Sequence, residues 1–288
     1  MAGSLPGVLF DGLAYGSLLF LISLGLSVTM GMMSFINLAH GAFAMAGGYV
    51  CSVGMERLGI PFLATLPLAF LAAAAAGALL ERTLYRRFYR RSPLDQVLFS
   101  LGLTLMSVAA TTWVFGPAHQ PVHLPPFLLG QVRALGVDLG VYRLFLVGVV
   151  LAITVLLAAV LNGTRFGARI RASVDDAQTA AGLGIDVQRV FFVTFTLGSG
   201  LAGLGGALAI DVLGLDPTFP LKYLVYFLLV VVVGGAGTIG GPLAAALLLG
   251  VFDVAGKYYA PGVGAFVIYG LMVGLLLLFP GGLRRIAR

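Results

Sequence analysis

The hydrophobic pattern of this chain consists of long apolar runs separated by short polar connections. Four of the runs are close to the ~20 residues that a helix needs to cross the hydrocarbon core of a bilayer. They span residues 60–80, 97–115, 142–161 and 190–210, and a shorter apolar segment covers residues 264–279. The pattern therefore predicts an all-α polytopic membrane protein.

Two further apolar stretches are too long to be single spans. The first lies between Asp11 and Glu56, which enclose no acid, lysine or arginine. As a helix it would be roughly 65 Å long, against a hydrocarbon core of ~30 Å. We place a break at residues 34–41, where several polar side chains can satisfy backbone groups freed by the interruption. The helix predicted to follow, at residues 42–55, is short for a full span.

The second long stretch covers residues 223–252 and also lacks charge. Its middle, residues 234–242, is too rich in glycine for a continuous helix and ends with a proline. One glycine-interrupted element thus falls in each half of the chain, the pattern of internal repeats that flank a transport path. We expect about eight or nine transmembrane helices, including these two elements, related by an internal inverted repeat.

Small residues form two ridges on the span at residues 190–210. They recur every four positions, as Gly198, Ala202 and Gly206 on one ridge and Ser199, Gly203 and Ala207 on the other. Such ridges let helix backbones approach closely in lipid. We therefore expect this helix to lie inside the bundle.

Composition narrows the class of protein. Of the 288 residues, 60% are hydrophobic and 10% charged, whereas about a quarter of a soluble domain is charged. The net charge of +6 does not predict nucleic-acid binding, because most basic residues lie beside apolar spans, where they set orientation and meet anionic lipid. The single cysteine, Cys51, lies in an apolar stretch, so we expect no disulfide framework and no cysteine-based metal site.

Three basic clusters predict which connections face the cytoplasm. They comprise Arg82, Arg86, Arg87, Arg90 and Arg91; Arg165, Arg169, Arg171 and Arg189; and Arg284, Arg285 and Arg288. The assignments agree in parity and place the C-terminus in the cytoplasm. They also place residues 117–140, a Pro-rich and hence rigid loop, outside. We treat residues 1–288 as one transmembrane domain with a cytoplasmic loop at residues 163–189.

The cytoplasmic loop contains one predicted short helix. Ser173 and Asp176 have the spacing of a capping box, and Asp175 and Asp176 complement the positive end of the helix dipole. Gly182 and Gly184 offer left-handed stops, so the helix is well below the ~12 residues that an isolated helix needs in water. It therefore needs a surface to dock against.

A small face on this helix suits such docking. Ala177, Ala180 and Ala181 follow the i, i+3, i+4 spacing, which puts them on one side and lets another surface approach closely. The alternative is an ordinary solvated loop with a positive-inside bias, which we favour when the stretch is taken alone. The rest of the chain shifts the balance toward a docked helix.

Polar and glycine residues at membrane depth are the candidates for a solute path. They are Asn37, His40 and Gly41 in the first half and Gly234, Gly235, Gly237 and Thr238 in the second. The competing interpretation is that they only satisfy the backbone of interrupted helices. It is slightly favoured for Asn37 and His40, and both interpretations stay open.

Four charged residues lie near predicted outer helix ends, and we expect them to be solvated interfacial side chains and not a proton relay. They are Asp211, Asp216, Asp253 and Lys257.

Motifs for bond chemistry are missing: the chain contains no G-x-x-x-x-G-K-[ST], no H-E-x-x-H and no G-x-S-x-G. Nucleotide hydrolysis by this chain is therefore not expected, and an intramembrane hydrolase has little support.

Three motifs occur in a characteristic order: INLAHGAF at residues 36–43, RASVDDAQTAAGLGI at residues 171–185 and GGAGTIGGP at residues 234–242. In this order and spacing they resemble the branched-chain amino acid ABC transporter permeases, specifically the H-type subunit. The resemblance covers nearly the whole chain. It implies that residues 172–185 carry an ATPase-coupling helix.

The same resemblance implies partners and a location. A permease of this kind lies in the bacterial inner membrane and pairs with an M-type permease, two cytoplasmic ATPases and an extracytoplasmic solute-binding protein. ATP and Mg would bind to the ATPases, with no cofactor in this chain. We therefore expect a non-enzymatic subunit that forms the membrane path for branched-chain or other hydrophobic amino acids.

Two alternatives remain open at this point. The family resemblance extends to permeases for urea, short amides and other small solutes. A different class, an ATP-independent channel or facilitator with two re-entrant elements, would need no docking helix on its cytoplasmic side.

The predicted orientation can be tested by cysteine labelling. In a Cys51→Ala background, a membrane-impermeant thiol reagent should label Gln120→Cys in intact cells and should label Arg169→Cys only after permeabilisation, because the arginine clusters hold their connections inside. Labelling at position 169 in intact cells would show that the orientation is inverted.

Overall fold

A computed structural model of the chain describes residues 5–33, 35–89, 91–134, 137–279 and 282–283. Within them the chain forms eleven α-helices: α1 Leu5–Met33, α2 His40–Leu58, α3 Phe62–Thr83, α4 Pro93–Phe115, α5 Val141–Gly163, α6 Arg165–Asp175, α7 Ala177–Gly182, α8 Val187–Leu213, α9 Phe219–Gly234, α10 Gly240–Tyr259 and α11 Gly264–Leu278. Arg90, Arg284, Arg285 and Arg288 of the basic clusters, and Ser34 of the first predicted break, lie outside the described residues.

The predicted spans are found as helices. In the described part of the chain six helices, α1, α3, α4, α5, α8 and α10, are long and apolar enough to cross a bilayer, and two shorter ones, α9 and α11, are apolar. The fold is therefore a polytopic helical membrane protein. The total of eight or nine spans and the inverted repeat stay predictions.

Both predicted breaks are confirmed. The first separates α1 from α2 at residues 35–39, and the second separates α9 from α10 at residues 235–239. α2 is longer than predicted, because it continues past Glu56 and Arg57 to Leu58. It ends at Gly59, whose φ of 64° is a left-handed conformation that glycine adopts without strain.

Helix α8 forms the centre of the bundle, as its small residues predict. Gly198 meets the backbone of Gly25 on α1, Gly203 meets that of Gly47 on α2, and Gly206 meets that of Ala44 on α2. Because no Cβ lies between them, the backbones come close enough for dispersion contacts along the whole crossing. Three neighbouring helices, α1, α2 and α3, thus pack around α8.

The helices divide into an inner and an outer set. In the apolar windows of α1 and α8, 83% and 72% of the residues are buried, whereas the figure for both α4 and α5 is 11%. α1 also packs along α10, where Gly16 lies against the backbone of Ala246. The apolar faces of α4 and α5 are therefore left for lipid or for another subunit.

The Pro-rich segment is less uniform than predicted. It holds a 3-10 turn at Pro126–Leu128 and a two-stranded antiparallel hairpin, β1 Gln131–Ala134 and β2 Val137–Gly140, in which Gln131 pairs with Gly140. The all-α prediction missed this hairpin, because strands of four residues carry too little alternation to stand out from a loop. The segment is fastened to the bundle by the Gln120 amide, which donates to the Leu215 carbonyl at 2.8 Å.

Two connections predicted to face the same side meet at one end of the bundle. Arg86, after α3, donates to the side chain of Gln188, at the start of α8, across 2.6 Å. The Pro-rich segment contacts Leu215, just past the other end of α8. α8 has 27 residues, which corresponds to about 40 Å between the two ends. We call the Arg86 end the inner end and the opposite end the outer end.

Close packing at α8 predicts that alanine substitution destabilises the protein at one glycine and not at another. A Cβ on Gly206 would overlap the backbone of Ala44, whereas nothing lies within 4 Å of the position of a Cβ on Gly102 in α4. We expect Gly206→Ala to lower the midpoint of thermal unfolding in detergent by several degrees and Gly102→Ala to leave it unchanged. Equal midpoints, measured by size-exclusion chromatography after heating, would contradict the assignment of α8 as the packing centre.

Candidate functional site

The first break is held together by buried side chains. Asn37 is 1% exposed, and its Oδ1 accepts hydrogen bonds from the Ala39 amide at 3.0 Å and from the Tyr85 hydroxyl at 2.9 Å. His40 is also buried, and its Nε2 lies 2.8 Å from the Ile22 carbonyl on α1. Because a carbonyl can only accept, Nε2 carries the proton and donates.

These contacts support the interpretation in which Asn37 and His40 satisfy the interrupted backbone. One part of Asn37 is not accounted for: its Nδ2 has no hydrogen-bond partner within the described residues. A role for this amide in a solute path therefore stays a prediction. Gly41 lies against Pro220 of α9, where an added Cβ would come within 3.0 Å of the proline Cα.

Tyr85 is a residue that the sequence analysis missed. It is fully buried, and its ring lies 4.7 Å from that of Phe195 and 5.1 Å from that of Phe99, measured between centroids. Tyr85 therefore joins the break to α8 and α4. In the sequence it sits inside an arginine cluster, which predicts a solvated connection, so no local signal marked it.

The second break is stabilised by its backbone. Gly235 and Gly237 have φ of 86° and 84°, a region that other residues rarely adopt. The Gly237 amide donates to the Ser27 carbonyl on α1 at 2.9 Å, and the Thr238 hydroxyl donates to the Gly235 carbonyl at 3.2 Å. Gly234 lies against Pro242, so the helices on either side of the break stay in contact.

Both breaks are anchored on the same helix. His40 contacts α1 at Ile22 and Gly237 contacts it at Ser27, positions about 7.5 Å apart along the helix axis. The two sets of predicted path residues are therefore connected through α1, although their side chains do not hydrogen-bond to each other within the described residues. A displacement of α1 would affect both breaks.

The predicted N-cap of the short helix α7 is wrong. Ser173 lies inside α6, is buried, and donates its hydroxyl to the Arg169 carbonyl at 2.8 Å. The cap of α7 is Asp176, whose Oδ1 accepts from the amides of Gln178 and Thr179 at 2.9 and 3.0 Å. The sequence analysis did not expect a helix at residues 165–175 and therefore placed the start of the next one too early.

Hydrogen bonds to the acidic cap, Asp176, favour its ionised form. A hydrogen bond from the Thr179 hydroxyl to Asp176, followed by those from backbone amides, lowers the pKa of the Asp176 carboxyl. Asp175, the last residue of α6, is exposed and does not cap α7. Gly184 has the predicted left-handed conformation, with φ of 84°, whereas Gly182 is the last helical residue of α7.

The predicted small face does not face outward as a unit. Ala180 is 2% exposed and packs against its own chain, Ala177 is half-buried, and only Ala181 is exposed. The outward surface is formed by Ala181 together with Leu183, which is 79% exposed. The i, i+3, i+4 rule predicted a common outward face, but packing buries Ala180, half-buries Ala177 and leaves Ala181 exposed.

Helix α6 lies beside the second break. A cavity of about 230 Å³ lies between them and is lined by Val174 and Asp175 on one side and by Gly237 and Thr238 on the other. An added Cβ on Gly237 would come within 2.9 Å of the Val174 side chain. Movement of α6 must therefore displace the glycine-rich break or open a gap beside it.

The outer acidic residues were predicted to be solvated, and for two of them this is wrong. Asp253 is 1% exposed and accepts from Lys257 Nζ at 2.6 Å, and Asp216 is 9% exposed and accepts from the Thr218 amide at 2.7 Å. Asp211 is exposed and Lys257 half-exposed, as expected. The difference arises because α1 covers this end of α10 and the segment after α8 folds back over the bundle.

Comparison with known proteins finds a family model and relatives that share one description, permeases of branched-chain amino acid transport systems. A family model described as the permease component of branched-chain amino acid transport systems matches residues 8–276. The high-affinity branched-chain amino acid transport system permease protein BraD of Pseudomonas aeruginosa is 28% identical over 96% of this chain and 94% of its own. The corresponding LivH of Escherichia coli K12 is 26% identical over the same shares.

A second type of relative matches as well. The permease protein LivM of E. coli K12 is 26% identical over 93% of this chain and 68% of its own. No solved structure matches the chain.

The Asp176 cap predicts a pH-dependent helix. Because the folded state lowers the pKa of this carboxyl, its ionised form stabilises α7. This stabilisation is complete at a pH above the usual pKa of an aspartate, and it is lost as the pH falls through the lowered pKa. At neutral pH we expect Asp176→Ala to speed amide hydrogen exchange in residues 177–182 several-fold. Asp175→Ala, one residue away, should have no such effect, and equal exchange in the two variants would rule out the cap.

Proposed function

The chain belongs to the family of branched-chain amino acid transport permease components, and from this premise we propose that it forms the membrane path of an ATP-driven importer of branched-chain or other hydrophobic amino acids. The names of the relatives, which cover nearly the whole chain, support this solute class. The proposal assigns no bond chemistry to the chain: ATP and Mg bind to partner subunits.

The contact of α6 with the second break is the observation that carries the proposal. The passage α6–α7 presents an exposed surface at the inner end, and α6 borders Gly237 and Thr238. A partner that pushes on α7 therefore acts on an interrupted helix inside the membrane domain. Interrupted helices are the elements that carry solute sites in transporters.

The mechanism that we propose uses the two breaks as hinges on α1. Closure of a cytoplasmic ATPase displaces α7 and, through α6, the backbone at Gly237. The Gly237 amide is hydrogen-bonded to Ser27, so α1 moves with it, and the first break follows through the contact of His40 with Ile22. Small shifts at the inner end are thereby converted into a repacking of both interrupted elements.

The proposal includes partners and orientation. The relatives include both LivH and LivM permease proteins, which supports pairing of this chain with a second, M-type permease. The weakly covered faces of α4 and α5 are the surfaces available for that subunit or for lipid. Two cytoplasmic ATPases and an extracytoplasmic solute-binding protein complete the complex, which lies in the bacterial inner membrane with the C-terminus in the cytoplasm.

The alternative functions differ in what they require of α7. A permease for urea or short amides would keep the same coupling helix and differ only in its solute. An ATP-independent channel would need no docking surface on α7. We propose that Leu183, the C-cap residue of α7 and 79% exposed, forms that surface together with Ala181.

A test of coupling follows from the outward surface of α7. Leu183→Glu and Ala181→Arg should abolish co-purification of the ATPase subunits or reduce solute-stimulated ATP hydrolysis at least tenfold, because each places an uncompensated charge in the contact. Leu129→Glu is the matched control for assembly: it makes the same change at an exposed leucine of the outer loop and should leave co-purification of the ATPase subunits unchanged.

The permease complex reconstituted in liposomes with its binding protein is the system to measure. Ala180 is not suitable for this test, since its burial means that a large side chain would disturb the chain itself. Full stimulation in both variants of α7 would overturn the coupling assignment and favour the channel.

A further inference from the structure

A polar cleft opens at the outer end of the bundle, far from the coupling passage. It has a volume of about 490 Å³ and is formed where α1, α9, α10 and α11 converge with the start of α5 and the end of α8. Its polar lining includes Tyr15, Arg143, Lys222, Tyr226, Asp253 and Lys257. A cleft of this size accommodates a small organic solute.

Asp253 is the unusual member of this lining. It lies on α10, six residues before the end of the helix, and is 1% exposed. Its Oδ2 accepts a hydrogen bond from Lys257 Nζ at 2.6 Å and the Tyr15 hydroxyl also interacts with the carboxylate, while its Oδ1 has no hydrogen-bond partner in the described part of the chain. An ionised carboxylate can accept about four hydrogen bonds, and a buried one left short of them is expensive unless a ligand supplies the rest.

Lys257 shows what kind of group this carboxylate accepts. Its ammonium occupies the acceptor site of Asp253, yet half of its side chain is exposed to the cleft. The lysine therefore has room to swing away without unpacking a helix. An external ammonium of similar size fits the place that Nζ now holds.

The cleft also offers a complement for negative charge. Arg143 is already paired with Asp11, whereas Lys222 forms no ion pair with any described residue and lies 5.4 Å from the centroid of the Tyr223 ring. Once displaced from Asp253, Lys257 would be a second unpaired cation. An ammonium acceptor and two cations in one cleft match the two charges of a zwitterion.

Aromatic faces lie beside these charges. The rings of Tyr15 and Tyr226 are 6.5 Å apart in an edge-to-face arrangement, and Lys257 Nζ lies 5.8 Å from the centroid of each. The wall that the tyrosines form is apolar on its faces and polar at its hydroxyls. A branched aliphatic side chain can pack on such faces while the charged end of the molecule meets the polar groups.

We propose that this cleft is a binding site for the zwitterionic backbone of an amino acid on its way from the outer face into the permease. The α-ammonium replaces Lys257 on Asp253, the α-carboxylate pairs with Lys222 and the released Lys257, and the side chain packs on Tyr226. The proposal rests on the proposed transport function and adds the residues that recognise the solute within this chain.

Direct binding to the permease provides the test. The complex of both permeases and the ATPases is placed in nanodiscs of phosphatidylcholine without the binding protein, and radiolabelled leucine is titrated. We expect saturable binding that unlabelled leucine competes. Competition should be at least tenfold weaker by 3-methylbutylamine, which lacks the carboxylate, and by 4-methylpentanoate, which lacks the ammonium.

Variants separate this cleft from other sites. Asp253→Asn and Lys222→Gln should each weaken leucine binding at least tenfold. The control for Asp253→Asn is Asp138→Asn, which makes the same change at an exposed position of the outer hairpin and should leave leucine binding unchanged. Lys222 is exposed on the rim, so its variant gives a result even where the loss of the buried carboxylate prevents folding. Leucine affinity in Lys222→Gln equal to that of the control would overturn the proposal.

A zwitterionic lipid headgroup shares the same chemistry, and a second arm distinguishes it. Nanodiscs containing phosphatidylethanolamine, whose primary ammonium can reach Asp253, should bind leucine as well as those of phosphatidylcholine. Leucine binding seen only without phosphatidylethanolamine would overturn the proposal in favour of a lipid site.

The failure of this site and that of the proposed function are distinguishable. If the wild-type complex imports leucine into liposomes with its binding protein and the cleft variants import it at the control rate, the proposed site is refuted and the proposed function stands. Wild-type complex that imports no amino acid would remove both.

Discussion

Close backbone contact around α8 is the constraint on which the rest of the structure depends. In lipid there is little hydrophobic gain in bringing helices together, so association relies on dispersion contacts and fit. Glycine supplies that fit where α8 meets α1 and α2, at Gly198 with Gly25 and at Gly203 with Gly47. With α8 in the centre, α4 and α5 are left on the periphery.

The rigid core allows two helices to be interrupted, because every backbone group freed inside a membrane needs another partner. The two breaks solve the problem differently. The first uses side chains, with Asn37 accepting from a backbone amide and from Tyr85. The second uses the backbone and two hydroxyls: the Gly237 amide donates to the Ser27 carbonyl, and the Thr238 and Ser27 hydroxyls donate to carbonyls within the break. A break held by backbone and by glycines of positive φ adjusts more readily than one locked by a buried aromatic cluster, which suits the second break to its position beside α6.

The distribution of charge matches the two roles that we propose, ATPase coupling at the inner end and solute binding at the outer end. The inner end carries exposed arginines and the capped helix α7, where we propose that a partner docks. The outer end buries Asp253 beside an exposed lysine and tyrosines. α1 extends between the two ends, with Asp11 and Tyr15 at the cleft and Ser27 at the second break, so both sites are connected by one packed helix.

The sequence by itself determined the class of protein, the long spans, both breaks and the interior position of α8, because apolar length, glycine content and the spacing of small residues act locally. It also located the short helix after α6 to within a few residues. Only the tertiary structure decided that Asp176 and not Ser173 is the cap, that Ala180 faces inward, and that Tyr85 and Asp253 are buried. The burial of Tyr85 and Asp253 depends on distant segments that cover them, α8 and α4 around Tyr85 and α1 over Asp253, whereas the cap was missed because α6 extends to Asp175. Burial and pairing of that kind arise between elements far apart in the chain, and no local pattern encodes them.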